Sequence, residues 1–227
     1  MNRITVAIDG FSSCGKSTMA KELAKEIGYI YVDTGAMYRA VSLFCIRNGW
    51  MTDTEINVPE IEKQIKSIRI EFKTNAAGKS ETYLNGQNVE TEIRTLEVAN
   101  GASRVSTLGF VRQELVRQQQ IMGLQKGIVM DGRDIGTVVF PAAELKIFLT
   151  ASPEIRAKRR LDEMVANGEA VNYEEVLANV KERDDRDQNR AESPLRKADD
   201  AIVIDNSMLS HEEQRKILRT LFEQKTL

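Results

Sequence analysis

Long apolar runs are missing from this sequence. No stretch approaches the roughly 20 apolar residues that a membrane-spanning helix needs, so no membrane partner is expected. The apolar segment Ile4–Ile8 is too short and too early for the core of a secretion signal. Cysteine is scarce: Cys14 and Cys45 are the two in 227 residues. They show no metal-ligand spacing, and a disulfide at Cys14 would obstruct the glycine-rich loop around it. A reducing, cytoplasmic setting is the natural expectation. Charge of one sign is lacking too. Lysine and arginine number 32 against 34 acids, a formal net charge of −2, which leaves no footprint for nonspecific nucleic-acid binding. The single histidine, His211, lies in Ser210-His211-Glu212-Glu213, which reads as a helix start with Ser210 as N-cap and gives His211 no role. No repeat or low-complexity segment is visible. A chain of this length suits one large domain, or a core with modest insertions, and buries about 70% of its unfolded surface without disulfides or structural metal.

What the sequence does have is Gly10-Phe11-Ser12-Ser13-Cys14-Gly15-Lys16-Ser17, a fit to the phosphate-loop pattern G-x-x-x-x-G-K-[ST]. A β-branched segment, Ile4–Ile8, precedes it. Met19, Leu23 and Ile27 follow at a spacing of four, one face of a helix. Strand, glycine loop and helix are the context that makes the pattern meaningful. Glycines let backbone N–H groups wrap a polyphosphate, and the helix N-terminus adds partial positive charge. Lys16 is placed to reach the β- and γ-phosphates, and the Ser17 hydroxyl to ligate Mg²⁺. The expectation is a protein that binds a nucleoside triphosphate.

Further along, Tyr29–Val32 reads as a strand, and residues 33–50 as a helix ending at Gly49-Trp50. Val58, Ile61, Ile65 and Ile68 step by three and four, predicting a short helix behind Pro59. Alternation then replaces helical spacing. Strands around 68–72 and 81–84, a turn at Asn75–Gly78 and the hairpin signal Asn85-Gly86 make residues 55–95 a small, partly β insertion. Helical composition resumes near Glu92 and continues, with a break around Gly109, to Gln125. Strands are expected at 128–130, 145–149 and 201–204. Charged helices are expected at 153–167, behind Ser152-Pro153, and at 173–190, broken by Asn167-Gly168, with a closing helix that holds Ile217, Leu218 and Leu221. The fold class that follows is α/β, a five-stranded parallel sheet with helices on both faces.

Asp33 and Asp131 each end a predicted strand, where ligands gather in such sheets. Asp131 follows Ile128-Val129-Met130, the context of a carboxylate that holds Mg²⁺ directly or through water. Arg183, Asp187 and Arg190 share one helix face, and Arg156, Arg159 and Arg160 lie one turn apart on the preceding helix. Phosphoryl transfer needs positive charge around the moving group, and arginine supplies it as planar donors. Arg186 and Lys158 read as solvated charge.

Taken with Ile8-Asp9-Gly10, Asp33-Thr34-Gly35-Ala36-Met37-Tyr38-Arg39, Glu92-Ile93-Arg94-Thr95 with Val98-Ala99-Asn100, the run Asp131–Pro141 and Lys181–Asp187, the chain resembles the bacterial cytidylate kinases, a branch of the phosphate-loop nucleoside monophosphate kinases, over nearly its whole length. The resemblance implies ATP as donor, CMP and dCMP as acceptors, and Mg²⁺ as cofactor. It implies that Gly10, Phe11, Ser12, Ser13, Cys14, Gly15, Lys16, Ser17 and Thr18, with Arg156 and Arg160, bind ATP. Thr34, Arg39 and Arg133 would hold the acceptor phosphate, Ser103, Arg112 and Asp134 would read the cytosine, and Arg183 and Asp187 would contact the sugar. Lys16, Arg133, Arg183 and Arg190 would be the catalytic set. Residues 1–54, 96–152 and 191–227 would form the core, 55–95 the acceptor-binding insertion, and 153–190 the lid and arginine-rich helices, with the mobile lid around 153–170. The expected partners are small molecules, and the expected state is a monomer.

The base chemistry agrees. The exocyclic amine of cytosine suits a carboxylate such as Asp134, whereas uracil presents a carbonyl there. The sequence departs from the family at Phe11, expected to pack, and at Cys14, where a loop-filling role competes with an oxidisable switch. Two other readings stay open: a phosphate-loop kinase for another small acceptor, such as shikimate or a different nucleotide, and a slow nucleotide-dependent switch or binding protein.

Overall fold

A computed structural model describes residues 3–166 and 168–226. In chain order the elements are β1 (Thr5–Gly10), α1 (Lys16–Ile27), β2 (Ile30–Asp33), α2 (Thr34–Arg47), α3 (Val58–Gln64), β3 (Ile70–Thr74), β4 (Ser80–Leu84), β5 (Gln87–Asn88), α4 (Leu96–Val105), α5 (Gly109–Met122), β6 (Ile128–Gly132), β7 (Leu145–Thr150), α6 (Pro153–Ala166), α7 (Tyr173–Asn189), β8 (Ile202–Asp205) and α8 (His211–Thr226). The class is α/β, as strands alternating with helices predict. One five-stranded sheet runs β2-β6-β1-β7-β8, and a second, three-stranded sheet runs β3-β4-β5. The chain forms two compact units, Met1–Tyr29 with Lys126–Leu227, and Ile30–Gln125. No described helix is long and apolar enough to cross a membrane.

In the first unit β1 lies between β6 and β7, parallel to both, with Asp9 opposite Gly132 and Gly10 opposite Leu149. β8 adds in parallel outside β7. Val6, Ala7, Ile8, Val129, Met130 and Leu149 are buried, which is why these strands read as continuous apolar runs. Tyr29 packs edge-on against Phe222 of α8 and accepts a hydrogen bond from Ile4 N at 3.0 Å. α6 and α7 carry a small core of their own, Ala157, Val176 and Val180, flanked by Leu161, Met164 and Leu177. Ser152 Oγ accepts from Ile155 N at 3.3 Å, the cap expected ahead of Pro153. Ser210 and Glu213 cap α8 reciprocally, each side chain accepting from the other's backbone N–H. Of the break expected at Asn167-Gly168, Asn167 lies outside the described residues.

In the second unit the hairpin at Asn85-Gly86 turns through positive φ at both residues, 48° and 84°. Gln118 on α5 ties the helix to the start of β3, donating to Ile68 O at 2.7 Å and accepting from Ile70 N at 3.1 Å. Ile61, Ile65 and Ile68 are buried as their spacing predicts. The α-helix nevertheless stops at Gln64, and Ile65–Ser67 is a 3-10 turn. The helical stretch from Glu92 likewise resolves into a 3-10 turn, Glu92–Arg94, and two helices. The break precedes Gly109, which opens α5. Ser106 and Thr107 cause it by turning their hydroxyls onto the carbonyls of Ser103 and Arg104, both at 2.8 Å.

Candidate active site

The phosphate loop begins where β1 runs out. Gly10 has φ 150°, and a Cβ there would stand 2.0 Å from Leu149 O, so only glycine lets β1 and β7 stay paired at that point. Ser13 (φ 58°) and Gly15 (φ 95°) then reverse the chain into the N-terminus of α1. Lys16, the first residue of that helix, is buried. Its ammonium donates to Phe11 O at 2.5 Å and lies 3.7 Å from Cys14 Sγ. Burial, and after it the charge of Arg133, push its pKa below the ordinary lysine value. Ser17 Oγ donates to Asp131 Oδ2 at 3.0 Å, bringing together the hydroxyl and the strand-end carboxylate that the sequence singles out. Thr18, next on α1, is exposed. Phe11 packs edge-on against Phe148, and Cys14 is wholly buried.

Beside the loop, the turn after β6 and the end of α7 collect charge. Arg133 Nε donates to Asp187 Oδ2 at 2.7 Å, and Arg190 lies 3.8 Å from the other Asp187 oxygen and 3.7 Å from Asp134 Oδ2. Burial alone would raise the Asp187 carboxyl, but Arg133, then Arg183 and Arg190, outweigh it and hold it below its usual range. Arg183 also acts on Lys16. The predicted helix face thus gathers Arg183, Asp187 and Arg190 around Arg133 and Asp134. Arg156 sits differently. It is 2% exposed, clamps Asp184 with both terminal nitrogens at 2.9 and 2.5 Å, donates to Ala151 O, and stacks over the Phe11 ring. Arg159 donates to Asn206 O at 2.7 Å. Arg160 is half-buried.

In the second unit, Asp33 ends β2 and caps α2, accepting from Ala36 N at 2.9 Å. Its other oxygen receives Arg39 at 2.8 Å and Arg94 at 3.3 Å. Arg94 is itself held by Glu90, which also accepts from the Thr82 hydroxyl at 2.7 Å. Thr34 is buried at the start of α2. Arg39 Nε is buried without a hydrogen-bond acceptor among the described residues. Arg112 is buried under the Tyr38 ring, 5.6 Å from its centroid, with Ser106 O at 3.4 Å. Ser103 is half-buried on α4.

Three features escape the sequence reading. Asp9 is buried at the end of β1, and its two oxygens accept the N–H groups of Ile135 and Gly136, both at 2.7 Å. These open a π-helical turn, Ile135–Val139, that follows Arg133 and Asp134. Burial pushes the Asp9 carboxyl up to about 6, against the pull of both N–H groups. A charged residue closing an otherwise apolar strand was the available signal. In the Glu90–Arg94–Asp33 relay, Asp33 was marked by its place at a strand end, but nothing in the sequence joined it to Arg94 or Glu90. Asn206, just past β8, donates to Cys14 O at 2.8 Å; its place after a strand end was the only hint.

A family model described as cytidylate kinase matches residues 6–224. Curated relatives named cytidylate kinase match almost the entire chain. That of Parabacteroides distasonis is 63% identical over 216 residues, 95% of this chain and 94% of its own. That of Bacteroides thetaiotaomicron is 59% identical, covering 98% and 97%. That of Flavobacterium psychrophilum is 57% identical, covering 97% and 98%.

Proposed function

The chain belongs to the cytidylate kinase family, and from that premise we propose that it transfers the γ-phosphoryl group of ATP to CMP or dCMP. The products are ADP and CDP or dCDP. A phosphate oxygen of the acceptor attacks the γ-phosphorus, the bond to the β–γ bridging oxygen breaks, and ADP leaves with that electron pair. The acceptor phosphate is already an ionised nucleophile, so no side chain has to remove a proton. The protein's task is to hold and neutralise charge.

The observation that carries this reading is the charge gathered at the loop: Lys16 is buried at the start of α1, and beside the loop Arg133 is held by Asp187 at 2.7 Å with Arg190 3.8 Å from the same carboxylate. Such a cluster is stabilised by a polyanion. Backbone N–H groups of residues 10–17 cradle the donor phosphates, and Thr18, Arg156 and Arg160 complete the ATP contacts. Lys16, Arg133, Arg183 and Arg190 stabilise the charge that spreads over the transferring group. Thr34, Arg39 and Arg133 take the acceptor phosphate, Ser103, Arg112 and Asp134 the cytosine, Arg183 and Asp187 the sugar. Asp134 accepts from the cytosine amine and meets the uracil carbonyl unfavourably.

The residues present fit Mg²⁺. Ser17 Oγ and Asp131 offer hard oxygen donors side by side. No group of three potential His, Cys, Asp or Glu ligands occurs among the described residues, which suits an ion that keeps waters and takes substrate phosphate oxygens. Bound there, Mg²⁺ would neutralise phosphate charge. Residues 55–95 serve as the acceptor-binding insertion and 153–190 as lid and arginine-bearing helices, the α6–α7 pair having its own small core to move as a body. The two buried free cysteines support a reducing cytoplasm. The proposed state is a monomer, with small molecules rather than nucleic acid or membrane as partners. The test is ADP release from ATP with CMP, dCMP, UMP, AMP or no acceptor. Fast release with CMP and dCMP alone supports the proposal, and a rate indifferent to acceptor refutes it.

A further inference from the structure

The phosphate loop is gripped from outside by two side chains that its sequence pattern does not contain. Asn206 is 1% exposed and donates from Nδ2 to Cys14 O at 2.8 Å. Arg156, equally buried, donates from Nη1 to Ser12 O at 3.3 Å. A trans peptide directs its carbonyl and its N–H to opposite sides. Holding Ser12 O and Cys14 O outward therefore turns the N–H groups of Ser13 and Gly15 the other way. Past Gly10, those residues are the two in the loop with positive φ, 58° and 95°, the geometry that makes a concave nest of donors. We infer that Asn206, seconded by Arg156, is a positioning residue for ATP: by fixing the Cys14 carbonyl it aims the Gly15 N–H at the donor phosphates.

The seat of Asn206 is rigid. Its backbone N–H donates to Thr150 O at 2.8 Å, and its carbonyl accepts from Arg159 at 2.7 Å. A Cβ on residue 15 would come within 2.6 Å of Nδ2, so glycine there is what admits the contact. The amide orientation follows from the partner, since a carbonyl at 2.8 Å requires the nitrogen. Arg156 links the same loop to α7 through Asp184. It thus also braces the loop from behind, beside its proposed contact with ATP.

The inference rests on the kinase reading for its kinetic arm only. Asn206→Asp keeps the side chain's shape but sets an oxygen against Cys14 O; Asn206→Ala removes the donor. With Asn206→Asp, KM for ATP should rise about tenfold, as for loss of one oriented phosphate donor. KM for CMP should stay within about twofold. In amide NMR, the Gly15 resonance of the parent should move downfield on adding ADP, and this shift should be largely lost in Asn206→Asp. An unchanged Gly15 shift, or an equal rise in both KM values, overturns the inference. If Asn206→Asp does not melt cooperatively, Asn206→Ala is read in its place. If neither variant folds, the contact belongs to the fold and the inference falls. A parent that shows the ADP shift but no CMP-dependent turnover would instead refute the kinase reading.

Discussion

The loop at residues 10–17 and the cluster around Asp33, proposed to serve the donor and the acceptor phosphate, are made in opposite ways. The loop relies on backbone: positive φ at Ser13 and Gly15, and a helix N-terminus at Lys16. Its side chains from elsewhere, Asn206 and Arg156, hold carbonyls. The Asp33 cluster relies on side chains spread along the sequence, with Glu90 holding Arg94, and Arg94 and Arg39 sharing Asp33. A backbone site tolerates change at most of its side chains and fails at the few that carry charge. A relay of side chains weakens at each link.

The sharpest break of this contrast is Lys16→Ala, at the side chain of the loop on which the proposed transfer most depends. We expect kcat to fall by roughly 10³ with the fold retained, because the lysine is a buried cation under like-charge pressure. Coupled ADP release and circular dichroism check it. Next, Asp134→Ala should cut the preference in kcat/KM for CMP over UMP by about tenfold; equal losses with both bases would remove Asp134 from base reading. Arg94→Met should raise KM for CMP several-fold, on the order of 1 kcal/mol, and leave KM for ATP alone. A matching loss with ATP would mean that the relay is not confined to the acceptor.

A further effect, read in stability rather than in kinetics, concerns Asp9. Its carboxyl rises from 3.8 to about 6 on folding, so the native state binds its proton more tightly than the unfolded chain. The resulting cost is absent below the unfolded value, sets in as pH rises from 3.8 towards 6, and is complete above that. Parent and Asp9→Asn should therefore differ more in the parent's favour at acid pH, by on the order of 1–3 kcal/mol across the window. Urea titrations at several pH values measure this, and a constant gap would contradict it. Asp187, held low by Arg133, works in the opposite sense in both proteins and cancels in the comparison.

The same contrast explains what could be read from the sequence. Glycine spacing, the strand before it and the helix after it are local, so the loop was legible together with Ser17 and Asp131, whose meeting at 3.0 Å follows from strand pairing. Arg183, Asp187 and Arg190 were legible because helical spacing alone puts them on one face. Asn206 and Cys14 are nearly the length of the chain apart, and no period links them. Asp9 was given no role because its partners, two N–H groups in a π-helical turn, carry no residue signature. The break around Gly109 was legible, though not its cause, the hydroxyls of Ser106 and Thr107 that compete with the backbone; at Ile65 burial continues after the α-helix has tightened, so its end was not legible.

The most direct test follows the phosphorus itself. ATP labelled at the γ-position is incubated with Mg²⁺ and CMP, with parent protein and with Lys16→Ala. The account predicts label in CDP, at a rate that depends on CMP and collapses in the variant. Label appearing as inorganic phosphate, at a rate that CMP does not change, would contradict it.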